Sequence, residues 1–191
     1  MKFGIRYLYE DKILLKLVLF TTTVGFFFSA TGSTMVLFML KVLNVPIATF
    51  GLVMLAPAVG SVLGSVVASR LSTRFGRMNT MAIAIFMTGF VITLSGFAPN
   101  VWVWIALAVI YGIAMAQWNI LLMSTYHQII PNELFGRIHG TRRTLVWGLM
   151  PIGSMVGGLL ATIDLRAPMI IGGALSAAVA LLGVPFVRSL S

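Results

Sequence analysis

The sequence predicts an all-α integral membrane protein whose chain crosses the bilayer six times. Of its 191 residues, 59% are hydrophobic and only 9% are charged, whereas a soluble domain carries about 25% charged residues. The mean hydropathy of the chain is +1.04. Long uncharged stretches alternate with short stretches rich in lysine and arginine, which is the pattern of membrane helices joined by short loops.

An arginine-rich stretch, Arg70-Leu-Ser-Thr-Arg-Phe-Gly-Arg77, fixes the first of these loops. No Asp, Glu, Lys or Arg occurs in residues 42–69 before it or in residues 78–132 after it. An arginine at the centre of a bilayer costs roughly 2.5–3.5 kcal/mol on insertion scales. We therefore expect this stretch to lie in water as a loop between two membrane helices.

The first span is predicted from the length of an apolar run. Residues 1–16 mix cations with aromatic and aliphatic side chains, and they are predicted to form an amphipathic segment at the membrane surface. The run that follows, 17–40, exceeds the roughly 7–15 residues of a signal peptide core. It is therefore predicted to be a retained span.

Turn signals mark the remaining boundaries on the side opposite the arginines. They are Asn44-Val-Pro46, Gly96-Phe-Ala-Pro-Asn100 and Asp164-Leu-Arg-Ala-Pro168. Trp102 and Trp104 open the fourth span, where an aromatic belt is expected at the interface. The six predicted spans are about 14–40, 46–69, 78–98, 101–129, 144–163 and 167–187.

The distribution of cations predicts the orientation. Eleven lysines and arginines fall on one side of the membrane and only two, Lys41 and Arg166, on the other. The eleven are Lys2, Arg6, Lys12, Lys16, Arg70, Arg74, Arg77, Arg137, Arg142, Arg143 and Arg188. Because cytoplasmic loops carry the excess of such residues, both termini are predicted to be cytoplasmic, with 128–143 as the second cytoplasmic loop. The same rule explains the net charge of +9 without nucleic acid as a partner, since no run of five or more cations occurs.

Small residues and prolines predict how the helices pack. Gly60 and Gly64 are four residues apart, as are Gly153 and Gly157, and this spacing lets helix backbones approach closely. Packing within one bundle and contact with a second molecule both remain open at this stage. Pro57 and Pro151 lie inside spans and are predicted to kink them.

The candidate substrate-path residues are polar groups in mid-membrane, Gln117, Asn119, Thr23 and Ser29. A side-chain amide in hydrocarbon is costly unless it finds a partner. Gln117 and Asn119 either face a water-filled path or bridge neighbouring helices. They are about 200° apart on a helix, so we do not expect both to face the same way. The threonine is expected to bond its own backbone more often than a substrate.

The sequence does not predict an enzyme, a metal site or a cofactor. No catalytic triad, phosphate loop or spaced set of metal ligands occurs. All four acids, Glu10, Asp11, Glu133 and Asp164, are predicted to lie in loops or at span ends. Proton-driven transport needs a titratable group within the membrane, so this chain alone is not expected to carry a carboxylate relay.

The two arginine-rich regions carry a family resemblance. The stretch from Gly64 to Arg77 is similar to the loop motif of the major facilitator superfamily, with Gly64, Arg74, Gly76 and Arg77 in matching positions and Thr73 where that motif has an acid. The second region resembles the loop and following helix of that superfamily's bacterial efflux group, which includes macrolide and enterobactin exporters. It comprises Gln128-Ile-Ile-Pro-Asn-Glu-Leu-Phe-Gly-Arg137, Arg143, Trp147-Gly148, Pro151, Gly153 and Gly157-Gly158.

The resemblance implies one six-helix half of a twelve-helix transporter, formed by two inverted three-helix units at 17–98 and 99–191. It further implies small-molecule or drug efflux by alternating access, in a cell inner membrane, with lipid and a second six-helix half as partners. In the family, the arginine loop braces helices, and Arg70, Arg74, Arg77, Arg137, Arg142 and Arg143 would do so here. A non-transporting fragment and a membrane scaffold remain as alternatives.

Overall fold

The computed structural model describes residues 12–188, without the side chains of Asn132, Arg137 and Arg188. The amphipathic segment predicted at 1–16 falls almost wholly outside the described residues. Every regular element within residues 12–188 is an α-helix. The helices are α1 (Lys12–Gly32), α2 (Met35–Lys41), α3 (Ile47–Val53), α4 (Ala56–Phe75), α5 (Arg77–Gly96), α6 (Val101–Ile129), α7 (Asn132–Ile163) and α8 (Ala167–Arg188).

Six stretches of these helices are long and apolar enough to cross a membrane, which confirms the predicted number of spans. We number them in chain order as spans 1–6: Lys12–Lys41, Ile47–Phe75, Arg77–Gly96, Val101–Ile129, Glu133–Ile163 and Ala167–Val187. Spans 1 and 2 each consist of two helices, α1 with α2 and α3 with α4, whereas each of the other four is a single helix.

The interruptions of spans 1 and 2 differ from the predicted proline kinks. Span 1 breaks at residues 33–34 and span 2 at residues 54–55. Pro57 lies in the first turn of α4, where its missing N–H removes no intrahelical hydrogen bond. Pro57 therefore begins a new helix, while Pro151 lies inside the uninterrupted α7.

The arginine-rich stretch is helical, so its prediction as a loop was wrong. Helix α4 continues through Arg70 and Arg74 to Phe75, and α5 begins at Arg77. The reversal is made at Gly76 alone, with φ 79°, a conformation that glycine adopts without steric cost. Arginine marks where the apolar membrane ends, but a helix continues into water because its backbone hydrogen bonds are internal.

The second predicted loop is shortened in the same way. Only residues 130–131 separate α6 from α7, so most of the stretch 128–143 is helical and span 5 begins well before the predicted residue 144. Because successive spans are antiparallel, the helix ends that carry the arginines of both regions lie on the same side of the bundle. These arginines are Arg70, Arg74, Arg77, Arg142 and Arg143. We call this the arginine end of the bundle, and the other the opposite end.

The opposite end corrects one further expectation, that Trp102 and Trp104 both lie at the interface. Trp102 is 76% exposed, but Trp104 is only 3% exposed and belongs to a buried cluster with Phe38 and Met169. Two residues apart on a helix are about 200° apart in direction. One tryptophan therefore faces outward and the other faces the interior of the bundle.

The spans pair in a pattern with internal symmetry. The closest pairs are 3 with 6, 2 with 4 and 1 with 5, followed by 3 with 4 and 1 with 6, while 2 with 3 and 5 with 6 touch little. Exchanging spans 1–3 with spans 4–6 leaves this pattern unchanged. Two inverted three-helix units produce such a pattern.

Glycines bring two of these pairs into backbone contact. A methyl group added at Gly60 would overlap the carbonyl oxygen of Val109. In the other pair, a methyl group at Gly157 would overlap that of Ala30. Both predicted glycine pairs therefore pack spans within one bundle, 2 against 4 and 1 against 5.

We expect Gly157→Ala to lower the free energy of unfolding by about 1–3 kcal/mol, because the added methyl has no space beside Ala30. Gly158→Ala is the matched control. The next residue on the same helix has no atom within 4 Å of an added methyl, so alanine there is expected to be neutral or slightly stabilising. Unfolding in mixed micelles, followed by circular dichroism, measures both. Equal losses in the two variants would contradict the close crossing.

Candidate functional site

Gln117 bridges two spans. The side chain is 3% exposed, and its Nε2–H donates a hydrogen bond of 2.8 Å to the carbonyl oxygen of Gly64 in span 2. Gly64 permits this bond because an added Cβ would lie 2.7 Å from the carbonyl oxygen of Ile113 in span 4. The sequence left open whether Gln117 bridges helices or faces a path, and in this structure it bridges them.

The other oxygen of the Gln117 amide has a different environment. Oε1 is buried and has no hydrogen-bond partner among the described residues. Gln117 also lines a cleft of about 290 Å³ between spans 2, 3 and 4, together with apolar residues such as Leu71, Phe75, Met87 and Ile110. The amide therefore combines a structural bond with an acceptor beside an apolar cleft.

Asn119 faces the other way, as the helical spacing predicted. It is exposed, and its Nδ2–H donates to the carbonyl oxygen of Met115 in its own helix at 2.9 Å. Thr23 is likewise exposed and donates to Leu19 in its own helix at 3.0 Å. Neither side chain bonds a neighbouring span, so both remain available at the surface of the bundle.

Ser29 lies at the crossing of spans 1 and 5. Its hydroxyl donates to the carbonyl oxygen of Met150 at 2.6 Å and lies 2.7 Å from the hydroxyl of Ser154. Because the Ser29 proton is engaged by Met150, Ser154 is the donor in the second bond. The two serines thus tie span 1 to span 5 in mid-membrane.

A repeated motif links this crossing to the one at Gln117. Gly60-Ser61-Val-Leu-Gly64 in span 2 and Gly153-Ser154-Met-Val-Gly157 in span 5 share the pattern Gly-Ser-x-x-Gly. Ser61 lies 3.3 Å from the carbonyl oxygen of Gly112, in the position that Ser154 takes against Ser29. This repeat is readable in the sequence, but only the pairing of spans explains why it recurs.

The arginines of the first arginine-rich stretch, Arg70, Arg74 and Arg77, differ in how far they are exposed. Arg70 and Arg74 are exposed, and Arg74 lies over the ring of Phe75 at 5.7 Å. Arg77 is partly buried, and its Nη2 donates to the hydroxyl of Thr125 in span 4 at 2.8 Å. Of the three, Arg77 therefore braces two spans, while the other two face outward.

The arginines of the second arginine-rich region also differ, because one contacts another span and another contacts only its own helix. Arg142 lies over the ring of Tyr126, 4.6 Å from its centroid, and so connects span 5 to span 4. Arg143 lies over Trp147 of its own helix at 4.0 Å. The side chain of Arg137 lies outside the described residues. A cation over an aromatic face is attracted by the negative electrostatic potential of the ring's quadrupole.

A stack of three rings also joins spans 4 and 5 at this end, which the sequence did not predict. His127 stacks on Phe135 with centroids 4.1 Å apart, and Phe135 stacks on His139 at 5.4 Å. His139 is four residues after Phe135, so the two share a helix face. The three rings can be read in the sequence, but their stacking depends on the turn at 130–131, which places His127 beside Phe135.

Apart from Asn119 and Thr23, which are exposed at the surface of the bundle, the candidate residues form two separate groups. Gln117, Gly64 and Ser29 lie at the two close crossings, and the arginines lie at one end of the bundle. Within residues 12–188, no cluster of three or more His, Cys, Asp or Glu side chains is placed to hold a metal ion.

Comparison with known proteins identifies the family. No individual curated protein matches the chain. The sequence profile of the Major Facilitator Superfamily matches residues 17–189, a range that includes most of span 1 and all of spans 2–6. The chain therefore belongs to the Major Facilitator Superfamily and is a multi-pass membrane transporter.

Proposed function

We propose that this chain is one six-helix half of a secondary-active exporter of small molecules, working by alternating access. Membership of the Major Facilitator Superfamily supports transport, and the resemblance of the second arginine region to the macrolide and enterobactin exporters favours efflux of small molecules or drugs. The two halves would rock about a central cavity. The inverted units of this half would be residues 17–98 and 99–191.

The observation that carries the pairing with a second half is the exposure of spans 2 and 5. In their most apolar stretches only 22% and 11% of residues are buried, against 33 to 50% in the other four spans. Both spans hold the bundle through their glycine faces and leave the other face free. A second six-helix half, either a separate chain or a second copy, would pack on these two spans.

The orientation is part of the proposal. The arginine end would face the cytoplasm, with both termini on that side, in a cell inner membrane. The cations that the structure places there include Lys12, Arg70, Arg77 and Arg142, whereas Lys41 and Arg166 lie at the opposite end. Arg77 and Arg142 would brace spans 3, 4 and 5 during the cycle.

Asn119 is the residue that we propose to contact the substrate most directly, because it is exposed and bonds only its own helix. Thr23 and Ser29 are further candidates, and Gln117 would present Oε1 to the cleft beside it. Within residues 12–188 the acids, Glu133 and Asp164, lie at the ends of span 5, so we propose that the coupling group belongs to the second half. A non-transporting fragment or a scaffold is the alternative that the experiments below address.

We expect the purified protein in detergent to have about twice the chain mass of 20.7 kDa, because the proposed second half, here a second copy, would pack on spans 2 and 5. Light scattering with the detergent contribution subtracted measures this. Leu159→Trp, on the exposed side of span 5, is expected to shift the mass towards one chain. The matched control is Leu182→Trp in span 6, since Leu159 is 68% and Leu182 is 82% exposed. A single-chain mass for the unmodified protein would contradict self-pairing and favour a fragment or a scaffold.

We expect Asn119→Leu to lower export roughly fivefold, which is the order of one lost hydrogen bond to substrate. Retention of erythromycin and of ethidium in a bacterial host without its own major exporters measures the effect. Asn79→Leu is the control, because Asn79 is also exposed and also donates to the carbonyl four residues earlier, Phe75, at 3.1 Å. Absence of export by the unmodified chain, in a host where it assembles as two copies, would favour the scaffold.

A further inference from the structure

The cleft between spans 2, 3 and 4, which Gln117 lines, begins at the arginine end of the bundle. Spans 2 and 3 touch little, although a single residue, Gly76, joins them. Beside this turn the hydroxyl of Thr80 lies 3.2 Å from the carbonyl oxygen of Leu71 and 2.9 Å from that of Gly76. Span 4 forms the floor of the cleft through residues such as Ile110. The cleft is therefore closed at the turn and lies between two spans that leave a gap.

The cleft is apolar and open to the bilayer. Two of its lining side chains, Phe75 and Ile83, are 50% and 54% exposed. Its two polar residues, Thr80 and Gln117, direct their donor groups to backbone carbonyls. The surface that remains is hydrocarbon, which an acyl chain of a lipid can cover by van der Waals contact.

The length of the cleft matches one leaflet of the bilayer. Along span 3 its lining residues extend from Thr80 to Met87, and Met87 is ten residues after Arg77. Ten residues of an α-helix rise about 15 Å, which is half of the roughly 30 Å hydrocarbon core. The cleft therefore runs from the arginine end to the middle of the membrane, the depth that one acyl chain fills.

Two arginines lie at the arginine end of the cleft. The guanidinium of Arg74 is 5.7 Å from the ring centroid of Phe75, which lines the cleft. Arg77 donates to Thr125 of span 4. Thr125 is eleven residues, about three turns, after Ala114 of the cleft floor, so both lie on the same side of span 4. One guanidinium thus lies beside the wall of the cleft and the other above its floor.

The charge of these arginines is not balanced by the helices around them. No Asp or Glu occurs in residues 42–132, a range that includes all of spans 2, 3 and 4. Cations at the membrane surface attract anionic lipid headgroups, and each changes the affinity about fivefold. Lipid tails are all equally apolar, so the cleft alone selects no lipid. The arginines add a preference for an anionic headgroup.

The cleft is separate from the surface on which the second half would pack. Leu71 and Phe75 lie seven and eleven residues after Gly64, and they therefore share the face of span 2 that holds span 4. The free face of span 2 carries side chains such as Val62, two residues before Gly64 and about 200° away. A second half on that face would leave the cleft to lipid.

We propose that this cleft binds an anionic phospholipid, with one acyl chain between spans 2, 3 and 4 and the phosphate on Arg74 and Arg77. Guanidinium groups bind phosphate through charge-assisted hydrogen bonds. Binding requires neither transport nor a second half, so it goes beyond the proposed function. The lipid would separate Gln117 from a substrate, whereas Asn119 faces the other way and is unaffected.

The test is lipid titration of the full chain in detergent, followed by native mass spectrometry. The probes are phosphatidylglycerol and phosphatidylcholine with the same two oleoyl chains, so that only the headgroup differs. We expect the first phosphatidylglycerol per chain to bind about thirtyfold more tightly than phosphatidylcholine, because two arginines contribute. Excess inorganic phosphate is not expected to displace it, relative to chloride at equal ionic strength, because free phosphate lacks the acyl chain.

A pair of arginine variants tests the headgroup site. Arg74→Gln is expected to weaken phosphatidylglycerol binding about fivefold and to leave phosphatidylcholine binding unchanged. Arg143→Gln is the matched control and is expected to leave both unchanged. Arg143 is also exposed at the arginine end and also lies over a ring of its own helix, Trp147, but it is on span 5, away from the cleft.

A pair of tryptophan variants tests the acyl-chain site. Ile83→Trp adds volume at an exposed position of the cleft wall, and it is expected to reduce the preference for phosphatidylglycerol at least tenfold. Leu94→Trp is the matched control, because Leu94 is also exposed on span 3 and lies eleven residues after Ile83 on the same side of the helix, outside the cleft. It is expected to leave the preference unchanged.

Four results would overturn the proposal. Equal affinity of the unmodified chain for the two lipids would mean unselective lipid around the bundle. Equal losses in Arg74→Gln and Arg143→Gln would mean that overall charge, and not this site, attracts the headgroup. An unchanged preference in Ile83→Trp would place the chain elsewhere, and displacement by inorganic phosphate would mean an anion site without a lipid. Arg74 is exposed, so its variant tests the proposal even where Ile83→Trp does not fold.

Discussion

Close approach of helix backbones is the constraint on which the rest of the structure depends. In lipid, apolar side chains gain little by moving from the bilayer to another helix, so association relies on close packing and on hydrogen bonds. Gly60 and Gly64 bring span 2 against span 4, and Gly153 and Gly157 bring span 5 against span 1. The interhelical bonds of Gln117 and Ser154 are possible only at these separations.

Close backbone packing also makes the two faces of spans 2 and 5 different. One face of each span is held by backbone contact, which leaves little freedom to slide, and the other carries exposed apolar side chains such as Val62 and Met155. A partner that packs on the free faces would therefore move the bundle as one unit. The glycine crossings tie spans 1 and 2 to spans 5 and 4, so the rigid-body rocking that we propose would involve little bending of single helices.

Hydropathy and charge predicted the six spans because each needs about 20 apolar residues whatever its neighbours are. The ends of the helices were harder to predict. Arg70 and Arg74 show where the bilayer ends, but a helix in water keeps its hydrogen bonds, so α4 continues past them to Gly76. Composition records the boundary between lipid and water, whereas a helix ends where its backbone changes conformation, and here one glycine with positive φ suffices.

The sequence predicted which candidate residues face different sides of a helix, but not which side of that helix points into the bundle. The spacing of Gln117 and Asn119 required that they face different ways, and the absence of a side chain at Gly64, on another span, decides which of them turns inward. The sequence was limited in the same way at Trp104. Its position two residues after Trp102 predicted the angle between the two side chains but not which of them is buried. Its burial beside two interrupted helices follows from the packing of five spans around one cavity. A buried indole donor without an acceptor among the described residues is therefore a property of the assembled bundle, which the sequence alone does not predict.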